Sequence, residues 1–302
     1  MAKSYNVLYT SDLHGNFYDE VLQKGSKKNI NSIIIGGDIL PKENGDGFYL
    51  LKRQEDFIIN YLIPKLEEFK KQYNKPIYLM MGNDDFACNM DLLKEAEKQG
   101  LLKLLHNRTY NLTEDIKLKG YGYVPITPFS IKDWEKWDTW DRKLLNEVRF
   151  DGYKSVKDDY GFKLESVDLR DEKIHDTIES DLEKLVKGVE YARKNDLEKL
   201  AKKVEDVRKT VFVIHTPPYN TKLDITNMKH VGSVAVRRFI EKYQPLATLH
   251  GHVHESAGTE KIGKTICINP GQSKIKFHYI TFNVYDIENS MKLEKWNLKI
   301  KR

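Results

Sequence analysis

Short runs of apolar residues alternate along this chain with amphipathic stretches and with clusters of polar residues. The runs at 5–10, 32–35, 76–81 and 210–214 contain few polar residues. Such runs predict strands that are buried on both faces, as in a parallel sheet covered by helices. Amphipathic stretches such as 18–27 predict the helices that connect these strands. The pattern therefore indicates an α/β fold.

Several boundaries of the predicted elements can be assigned from single residues. A helical pattern over 49–73 contains Pro64, which predicts a kink or a division because proline lacks an N–H donor. Ser233 precedes another helical pattern and is the predicted N-cap of that helix. The runs 279–287 and 292–298 predict antiparallel strands that close the chain.

Residues from about 130 to 209 differ in composition from the rest of the chain. We interpret them as a charged helical insertion within a single domain of residues 1–302. Residues 177–209 predict a helix, with an apolar stripe on one face and Glu–Lys pairs four residues apart on the other. The insertion is expected to modulate access to the site, or association into a homo-oligomer, rather than the chemistry.

The first half of this insertion gives weaker patterns. Trp134, Trp137 and Trp140 are three residues apart, which predicts one face of a helical turn. Residues 151–170 are charged and show no clear period. Just before the insertion, the aromatic and proline-rich stretch 121–129 is consistent with the wall of a pocket, and equally with a loop packed by its own aromatic rings.

Composition excludes some classes of function. Lys and Arg (50) barely outnumber Asp and Glu (45), giving a net charge of +5, which argues against a nucleic-acid partner and favours an anionic small substrate. Only Cys88 and Cys267 are present, too few and too far apart for a disulfide framework or a zinc ribbon. No apolar run reaches the ~18–20 residues of a membrane helix, and no signal region is recognised, so we expect a cytoplasmic protein without a membrane partner.

The candidate chemistry lies directly after the predicted strands. Carboxylate, amide and imidazole side chains follow five of them, where the sites of α/β proteins are built. They are Asp12, His14, Asp38, Asn83, His215, His252 and His254. Taken alone, the histidine-rich stretch 249–256 is about as consistent with hydrogen-bonded histidines in a turn as with a metal site. Five repeats of the same placement favour a shared site.

The donor types in this set indicate the cofactor. All are oxygen or nitrogen, which suits Mn, Fe, Zn, Ni or Mg and argues against copper(I) or iron–sulfur clusters. Seven ligands exceed the four of a tetrahedral ion, so two divalent metal ions that share a carboxylate are the simplest interpretation. Paired ions can hold both the attacking and the leaving oxygen of a phosphoryl displacement. A small phosphorylated substrate is therefore expected.

These motifs together resemble the calcineurin-like metallophosphoesterases. D-x-H, G-D, G-N-x-D, an isolated histidine and G-H-x-H occur in that order between Asp12 and His254, apart from the insertion. The resemblance implies a four-layer αββα sandwich. It implies one metal held by Asp12, His14, Asp38 and His254, and another held by Asp38, Asn83, His215 and His252, with Asp38 bridging.

The resemblance also suggests catalytic and substrate-binding residues. Asn83, Asp84 and His215 are the predicted catalytic residues. The stretch H-T-P-P-Y-N resembles the small prokaryotic branch of the family, and Tyr219 and Asn220 are the predicted substrate-binding residues.

Asp84 departs from the family pattern, because many members carry a histidine there that assists the leaving group. The sequence therefore predicts a dinuclear-metal-dependent phosphoesterase that hydrolyses phosphate esters, preferably diesters, by attack of metal-bound hydroxide. The alternatives are a phosphomonoesterase of the same family and a non-enzymatic scaffold with the metallophosphoesterase fold. A nuclease is a further alternative, which would require a basic track.

Overall fold

The computed structural model describes residues 3–42, 47–159, 161–187, 206–273 and 275–297. Within this part, two six-stranded sheets form the centre of the molecule. The strands of the first sheet are β1 (Asn6–Thr10), β2 (Ser32–Gly36), β3 (Ile77–Met80), β4 (Lys103–Leu104), β17 (Lys276–Asn283) and β18 (Lys292–Asn297). The strands of the second sheet are β5 (Thr109–Asn111), β6 (Lys117–Tyr121), β11 (Thr210–Ile214), β14 (Ala247–Leu249), β15 (Gly258–Ile262) and β16 (Thr265–Asn269).

Each sheet has a parallel centre; antiparallel strands flank it on one side in the first sheet and on both sides in the second. The order in the first sheet is β18-β17-β1-β2-β3-β4, and β1 to β4 run parallel. The order in the second sheet is β15-β16-β14-β11-β6-β5, and β16, β14, β11 and β6 run parallel. The predicted antiparallel strands at the end of the chain are β17 and β18.

Helices and shorter strand pairs complete the described part. The short pairs are β7 (Val124–Pro125) with β8 (Glu135–Lys136), β9 (Asp151–Asp158) with β10 (Gly161–Asp168), and β12 (Ile225–Thr226) with β13 (Lys229–His230). The helices are α1 (Tyr18–Gly25), α2 (Gly47–Phe57), α3 (Ile63–Tyr73), α4 (Met90–Lys98), α5 (Ile178–Lys187), α6 (Val234–Tyr243) and α7 (Ile287–Ser290). No helix among these residues combines the length and apolar character needed to cross a membrane.

The alternation of side chains along each strand produces a layered arrangement. Val7 and Tyr9 of β1 point towards the second sheet, where they share a core with Val211 and Val213. Leu8 lies on the opposite face of β1, in a separate core with α1, α3 and α4. On the far side of the second sheet, α5 and α6 form a third core. The layers are helix, sheet, sheet and helix, so the predicted four-layer sandwich is confirmed.

The predicted helix over 49–73 is continuous but contains a π-helical turn. This turn, Ile58–Leu62, separates α2 from α3 and directly precedes Pro64. Proline cannot donate to the preceding turn and its ring displaces the carbonyl four residues earlier. A π-turn accommodates both effects without ending the helix. The π-turn therefore divides the helical ladder before Pro64, and the helical segment continues to Tyr73.

The insertion is only partly helical in the described part of the chain. The predicted helix over 177–209 is present over Ile178–Lys187 as α5, and residues 188–205 lie outside the described residues. Its predicted end at 209 is wrong, because Asp206 is extended and Val207–Lys209 is a 3-10 turn. The predicted helical turn at the three tryptophans is wrong, because Glu135–Lys136 is a strand there. Residues 151–170, which show no period in the sequence, contain the β9–β10 hairpin.

Substitution of Leu182 tests whether α5 is part of the main body. This side chain is buried in the core that α5 shares with α6 and the second sheet. Leu182→Ala is expected to lower the free energy of unfolding by about 2–5 kcal/mol, because it leaves a cavity in that core. Urea denaturation measures the change. Ile174→Ala is the control, since Ile174 is exposed in the same insertion, and an equal loss in both variants would contradict this packing.

Candidate metal centre

The seven predicted ligands lie at neighbouring strand ends of the two sheets. Those from the first sheet follow β1, β2 and β3, and those from the second sheet follow β11 and β14. Backbone bonds hold the loops together, since Asp12 N–H donates to the Gly37 carbonyl at 2.9 Å and Gly251 N–H donates to the His215 carbonyl at 2.9 Å. The second of these bonds joins two loops of the second sheet. The parallel order places β1, β2 and β3 side by side, as it does β11 and β14.

Four of these side chains form a compact group. Asp12, His14, Asp38 and His254 each offer one ligand atom, and these atoms all lie within 4.8 Å of one another. His254 Nε2 is 3.4 Å from Asp12 Oδ1, and His14 Nε2 is 3.2 Å from His254 Nε2. These are the residues that the resemblance implies for one metal ion.

The other three predicted ligands adjoin this group. His215 Nε2 lies 3.3 Å from Asp38 Oδ2, and His252 Nδ1 lies 2.8 Å from Asn83 Oδ1. His252 also donates its backbone N–H to Asp12 Oδ1 at 2.9 Å. Asp38 therefore contacts residues of both groups, which is the position that a bridging carboxylate requires.

The chemistry of these atoms fits divalent cations. Asp12 Oδ2, His14 Nδ1 and His215 Nε2 are buried without a hydrogen-bond partner, and unsatisfied buried polar atoms are costly. The facing ring nitrogens of His14 and His254 also need a proton or a cation between them, because two lone pairs repel. A cation held by carboxylate oxygens and imidazole nitrogens satisfies these atoms together.

The ring tautomer of His215 is set by its surroundings. Its Nδ1 lies 2.9 Å from the Gly36 carbonyl, which can only accept, so Nδ1 carries a proton and Nε2 faces Asp38. Burial opposes a second proton on His215, but the Asp38 and Asp12 carboxylates outweigh burial and raise its pKa to about 10. Burial lowers the pKa of His14 to about 4 and that of His252 to about 3. The imidazoles of His14 and His252 are therefore neutral, as metal ligands must be. Burial also opposes a second proton on His254, but the Asp12 carboxylate raises its pKa to about 8, so His215 and His254 would each release a proton on binding a cation.

The loops at the site adopt unusual backbone conformations. Asp12, His14, Asp38 and His252 have φ angles of 57°, 46°, 51° and 64°. Positive φ is uncommon outside glycine, and it accumulates at sites that the surrounding structure holds in place. Neither the residue types nor their spacing indicated these conformations. They turn the side chains after three different strands into the same space.

Gly82 allows the backbone to approach the site closely. A Cβ atom there would lie 2.4 Å from Asp38 Oδ1 and 2.7 Å from His215 Nε2, which is too close for either ligand to stay in place. Gly82→Ala is therefore expected to weaken metal binding by at least about tenfold, the lower end of what disturbed ligand orientation costs. Isothermal titration calorimetry with Mn²⁺ measures this affinity.

The matched control for this prediction is Gly258→Ala. Gly258 lies in a strand, and a Cβ there would meet its nearest atom at 3.7 Å, an ordinary contact. The metal affinity of the Gly258→Ala variant should equal that of the wild type. Equal affinity in both variants would contradict the contact described for Gly82.

Asp85 supports the site and was not singled out from the sequence. It is fully buried, and its carboxylate accepts backbone N–H groups of Ile39 at 3.0 Å, Leu40 at 2.7 Å and Gly82 at 2.8 Å. These bonds fix the loop after β2 to the loop after β3. Its position as the last residue of G-N-x-D was the available signal.

Of the three histidines in the stretch 249–256, His250 is a structural residue, since both of its ring nitrogens have protein partners.

Asp84 is paired with a lysine. Lys42 Nζ lies 2.5 Å from Asp84 Oδ2 and 5.0 Å from the centroid of the Phe129 ring. Burial and the neighbouring Asp38 carboxylate raise the pKa of Asp84 to about 7, although Lys42 opposes this shift. The Asp84 N–H donates to Asp38 Oδ1 at 2.9 Å, so the backbone of Asp84 also orients the predicted bridging ligand.

A cavity of about 550 Å³ opens onto the predicted ligands. Asp38, Asn83, His252 and His254 line one side of it. The other walls are formed by 125–129, by 143–148 of the insertion, and by residues around the β12–β13 hairpin. The aromatic and proline-rich stretch 121–129 thus contributes to a pocket wall, which was one of its two interpretations. The insertion forms part of the cavity wall, whereas the sequence predicted only that it modulates access or association.

The predicted substrate-binding residues lie outside this lining. Neither Tyr219 nor Asn220 is among the described residues that line the cavity. The Tyr219 ring instead packs against the His230 ring with the centroids 5.7 Å apart, and Asn220 N–H donates to Asp224 Oδ2 at 3.1 Å. Their role as substrate ligands stays a prediction from resemblance.

Comparisons with known proteins bear on the family. Residues 171–295 match the sequence model of the metallophosphoesterases of the calcineurin superfamily. An uncharacterized protein of Methanocaldococcus jannaschii is 37% identical over 89 residues, which are 28% of this chain and 38% of that protein. The match therefore spans well under half of that relative. A crystal structure with 17% sequence identity superposes with a TM-score of 0.60, covering 98% of this chain and 100% of its own, which is a likeness of fold.

The sequence match and the structure are complementary. The matched residues 171–295 include His215, His252 and His254, whereas the first four predicted ligands lie before them. The structure places both sets at one site, and this site supports a metal-dependent phosphoesterase. The family match and the four-layer fold together confirm the resemblance to the calcineurin-like metallophosphoesterases.

Proposed function

We propose that this protein is a dinuclear-metal-dependent phosphoesterase that prefers phosphodiesters. The observation that carries the proposal is the convergence of seven oxygen and nitrogen donors from two sheets at the mouth of a cavity. Two divalent ions would be held by the two groups of residues that meet at Asp38. When bound, such ions activate water and neutralise charge on phosphoryl oxygens.

The protein residues orient the components of this reaction. The Gly36 carbonyl holds His215 so that its Nε2 faces Asp38. The Asp84 N–H fixes one oxygen of Asp38 and leaves the other towards His215. Asn83 faces both the His252 ring and the cavity. The catalytic roles proposed for Asn83, Asp84 and His215 are therefore to place the ligands and the substrate phosphate.

The preference for diesters follows from the chemistry around Asp84. In the family that these motifs resemble, a histidine often occupies this position, and an imidazolium can protonate a poor leaving group. The Lys42 ammonium group and bound cations would hold the Asp84 carboxyl group in its ionised form, without a proton to donate. Leaving groups that need no proton are then favoured, and this carboxylate repels a monoester dianion more strongly than a diester monoanion. The narrower choice between diesters and monoesters rests on this argument.

The scaffold alternative is less well supported by the geometry. A binding platform needs neither a complete donor set nor a cavity beside it, and both are present here. The buried unpartnered atoms Asp12 Oδ2, His14 Nδ1 and His215 Nε2 also favour a site that binds cations.

A metal-supplemented assay tests the proposed function. Protein stripped with a chelator is reloaded with Mn²⁺, Zn²⁺, Ni²⁺, Fe²⁺ or Mg²⁺ and assayed with bis(p-nitrophenyl) phosphate and with p-nitrophenyl phosphate. We expect hydrolysis only after reloading, and a higher kcat/KM for the diester. Absence of hydrolysis of both esters with every metal would contradict the enzymatic proposal, and faster hydrolysis of the monoester would contradict only the diester preference.

A further inference from the structure

We infer that the cavity beside the metal centre binds the organic part of the substrate, and that this part is a bulky apolar group. The segment 143–148, here named the strap, forms the wall of the cavity that lies in the insertion. This inference rests on the proposed function, because it assumes that a phosphate ester places its phosphate at the predicted ligands. It adds the substrate class and the residues that select it.

The size of the cavity exceeds the needs of a phosphate. Its volume of about 550 Å³ falls within the roughly 300–1,000 Å³ of sites that enclose organic ligands of drug size. A phosphoryl group with a methyl or glyceryl substituent would leave most of this space to water. A substrate that fills the cavity therefore carries a large group on its phosphate.

The side chains of the lining indicate that this group is apolar. Phe129, Leu144 and Leu145 line the cavity, and 48%, 44% and 42% of their surfaces are exposed. Two buried residues, Ile126 and Trp137, extend the apolar wall. Exposed apolar side chains that converge on one cavity beside reactive groups are typical of a ligand site, whereas scattered ones are not.

The strap is held in place at both ends and near its middle. Arg142 precedes it, with its guanidinium 4.7 Å from the centroid of the Trp137 ring and bonded to the Glu172 carbonyl at 2.6 Å. Arg149 follows it and donates its N–H to the Thr127 carbonyl at 3.0 Å. Asn146 Nδ2 donates to the His230 carbonyl at 3.1 Å. The wall is therefore formed before a ligand arrives, which lowers the entropy lost on binding.

The charged residues of the lining indicate how a substrate would be oriented in the cavity. Lys42 lies at the metal-centre end, and Phe129 lies directly beside its ammonium group. The phosphate of a substrate would lie at the predicted ligands, with Lys42 next to it, and the organic group would extend past Phe129 to the strap. Lys143 and Glu147 of the strap have opposite charges, so the strap adds no net charge that would select a second anionic group.

The test uses non-hydrolysable phosphonates and Mn²⁺-loaded protein. Dissociation constants of methylphosphonate, 1-naphthylphosphonate and octylphosphonate are measured by calorimetry for the wild type and for the double variant Leu144→Ser/Leu145→Ser. The control is Leu293→Ser, since Leu293 has a similar exposure of 41% and lies outside the cavity lining. Comparison of the naphthyl and octyl compounds shows whether the cavity prefers a flat ring or a flexible chain.

We expect the wild type to bind the naphthyl or the octyl compound more tightly than methylphosphonate. The double variant should lose at least about fivefold of that affinity, as expected for removal of apolar contact area, and should bind methylphosphonate as the wild type does. Equal binding of all three phosphonates by the wild type, or an equal loss for all three in the double variant, would overturn the inference. Since these are binding measurements, they remain decisive even where the hydrolysis assay is negative.

Discussion

Replacement of Asp38 by asparagine is expected to lower metal content from two ions per chain to one or none. The same variant should lose hydrolytic activity by at least about 100-fold, the upper range measured for residues that only support a metal ligand. Asp38 contacts both ligand groups, since its Oδ2 lies 3.3 Å from His215 Nε2 and 3.9 Å from His14 Nε2, while its Oδ1 accepts the Asp84 N–H. Asparagine retains the bond to Asp84 but loses the charge that a bridging ligand supplies.

Elemental analysis after metal loading and gel filtration measures the number of ions, and the diester assay measures activity. Asp56→Asn serves as control, since Asp56 is exposed and pairs with Lys52 at 3.1 Å. Thermal unfolding of both variants establishes that Asp38→Asn remains folded. A folded Asp38→Asn protein that retains two ions would exclude Asp38 as the bridging ligand.

The centre of this fold could be predicted from the sequence because its strands are simple. The apolar runs at 32–35 and 210–214 are strands covered on both faces, and such strands need no alternation of polar residues. A polar residue that directly follows such a run lies at the carboxyl end of its strand, which is the edge of the sheet where the predicted ligands meet. The ligand set could therefore be assembled without knowing how the two sheets pack.

The insertion could not be predicted as well, because its strands are only partly covered. In β9 only Gly152 and Ser155 are buried, so the inward positions carry no apolar signal. Two of the three apolar residues of β10, Phe162 and Leu164, are only partly buried against α2 and Phe86. A hairpin built in this way has no period that distinguishes it from a charged loop.

The tryptophans of the insertion illustrate the ambiguity of spacing. Trp134 and Trp137 are buried and donate their ring N–H groups to carbonyl oxygens of Asp85 and Leu169. Trp140 is exposed. A spacing of three fits a helical face, but a short strand followed by turns can bury the same two rings. The hydrogen-bond partners that determine the outcome lie far away in the sequence.

Apart from 121–129, for which a pocket wall was one of two interpretations, the cavity could not be predicted from the sequence, for a related reason. Its walls come from 125–129, 143–148 and 226–232, which are largely irregular segments without periodicity. Their mutual placement depends on single bonds such as that from Asn146 to the His230 carbonyl. Ligands at strand ends follow from topology, whereas a substrate pocket made of loops depends on such individual contacts.

The Lys42–Asp84 pair changes the expected basis of substrate preference. An isolated carboxylate at residue 84 would repel a monoester dianion more strongly than a diester monoanion. In the structure this carboxylate has an ammonium group 2.5 Å away, so Lys42 reduces this repulsion without removing it. The two residues should therefore act in opposite directions when they are changed one at a time.

Lys42→Met is expected to raise the ratio of diester to monoester kcat/KM, because it leaves Asp84, which bound divalent cations would keep ionised, as an unpaired anion beside the phosphate. Asp84→Asn is expected to lower the same ratio, because it leaves the Lys42 cation to attract the dianion. A unit charge about 6 Å away at an effective dielectric of ~20 is worth roughly 3 kcal/mol. Since Lys42 is 44% exposed, solvent screening reduces the expected change in each direction to about tenfold.

Both variants are assayed at pH 8 with the two chromogenic esters, alongside Lys52→Met, an exposed lysine that pairs with Glu55 and Asp56 away from the site. Asp84→His is added because an imidazole can also donate a proton, so it should raise monoesterase activity further than Asp84→Asn does. Metal content must match the wild type in every variant. If Lys42→Met and Asp84→Asn move the substrate ratio in the same direction, the pair acts through its position and not through its charge, and the electrostatic origin of the preference is wrong.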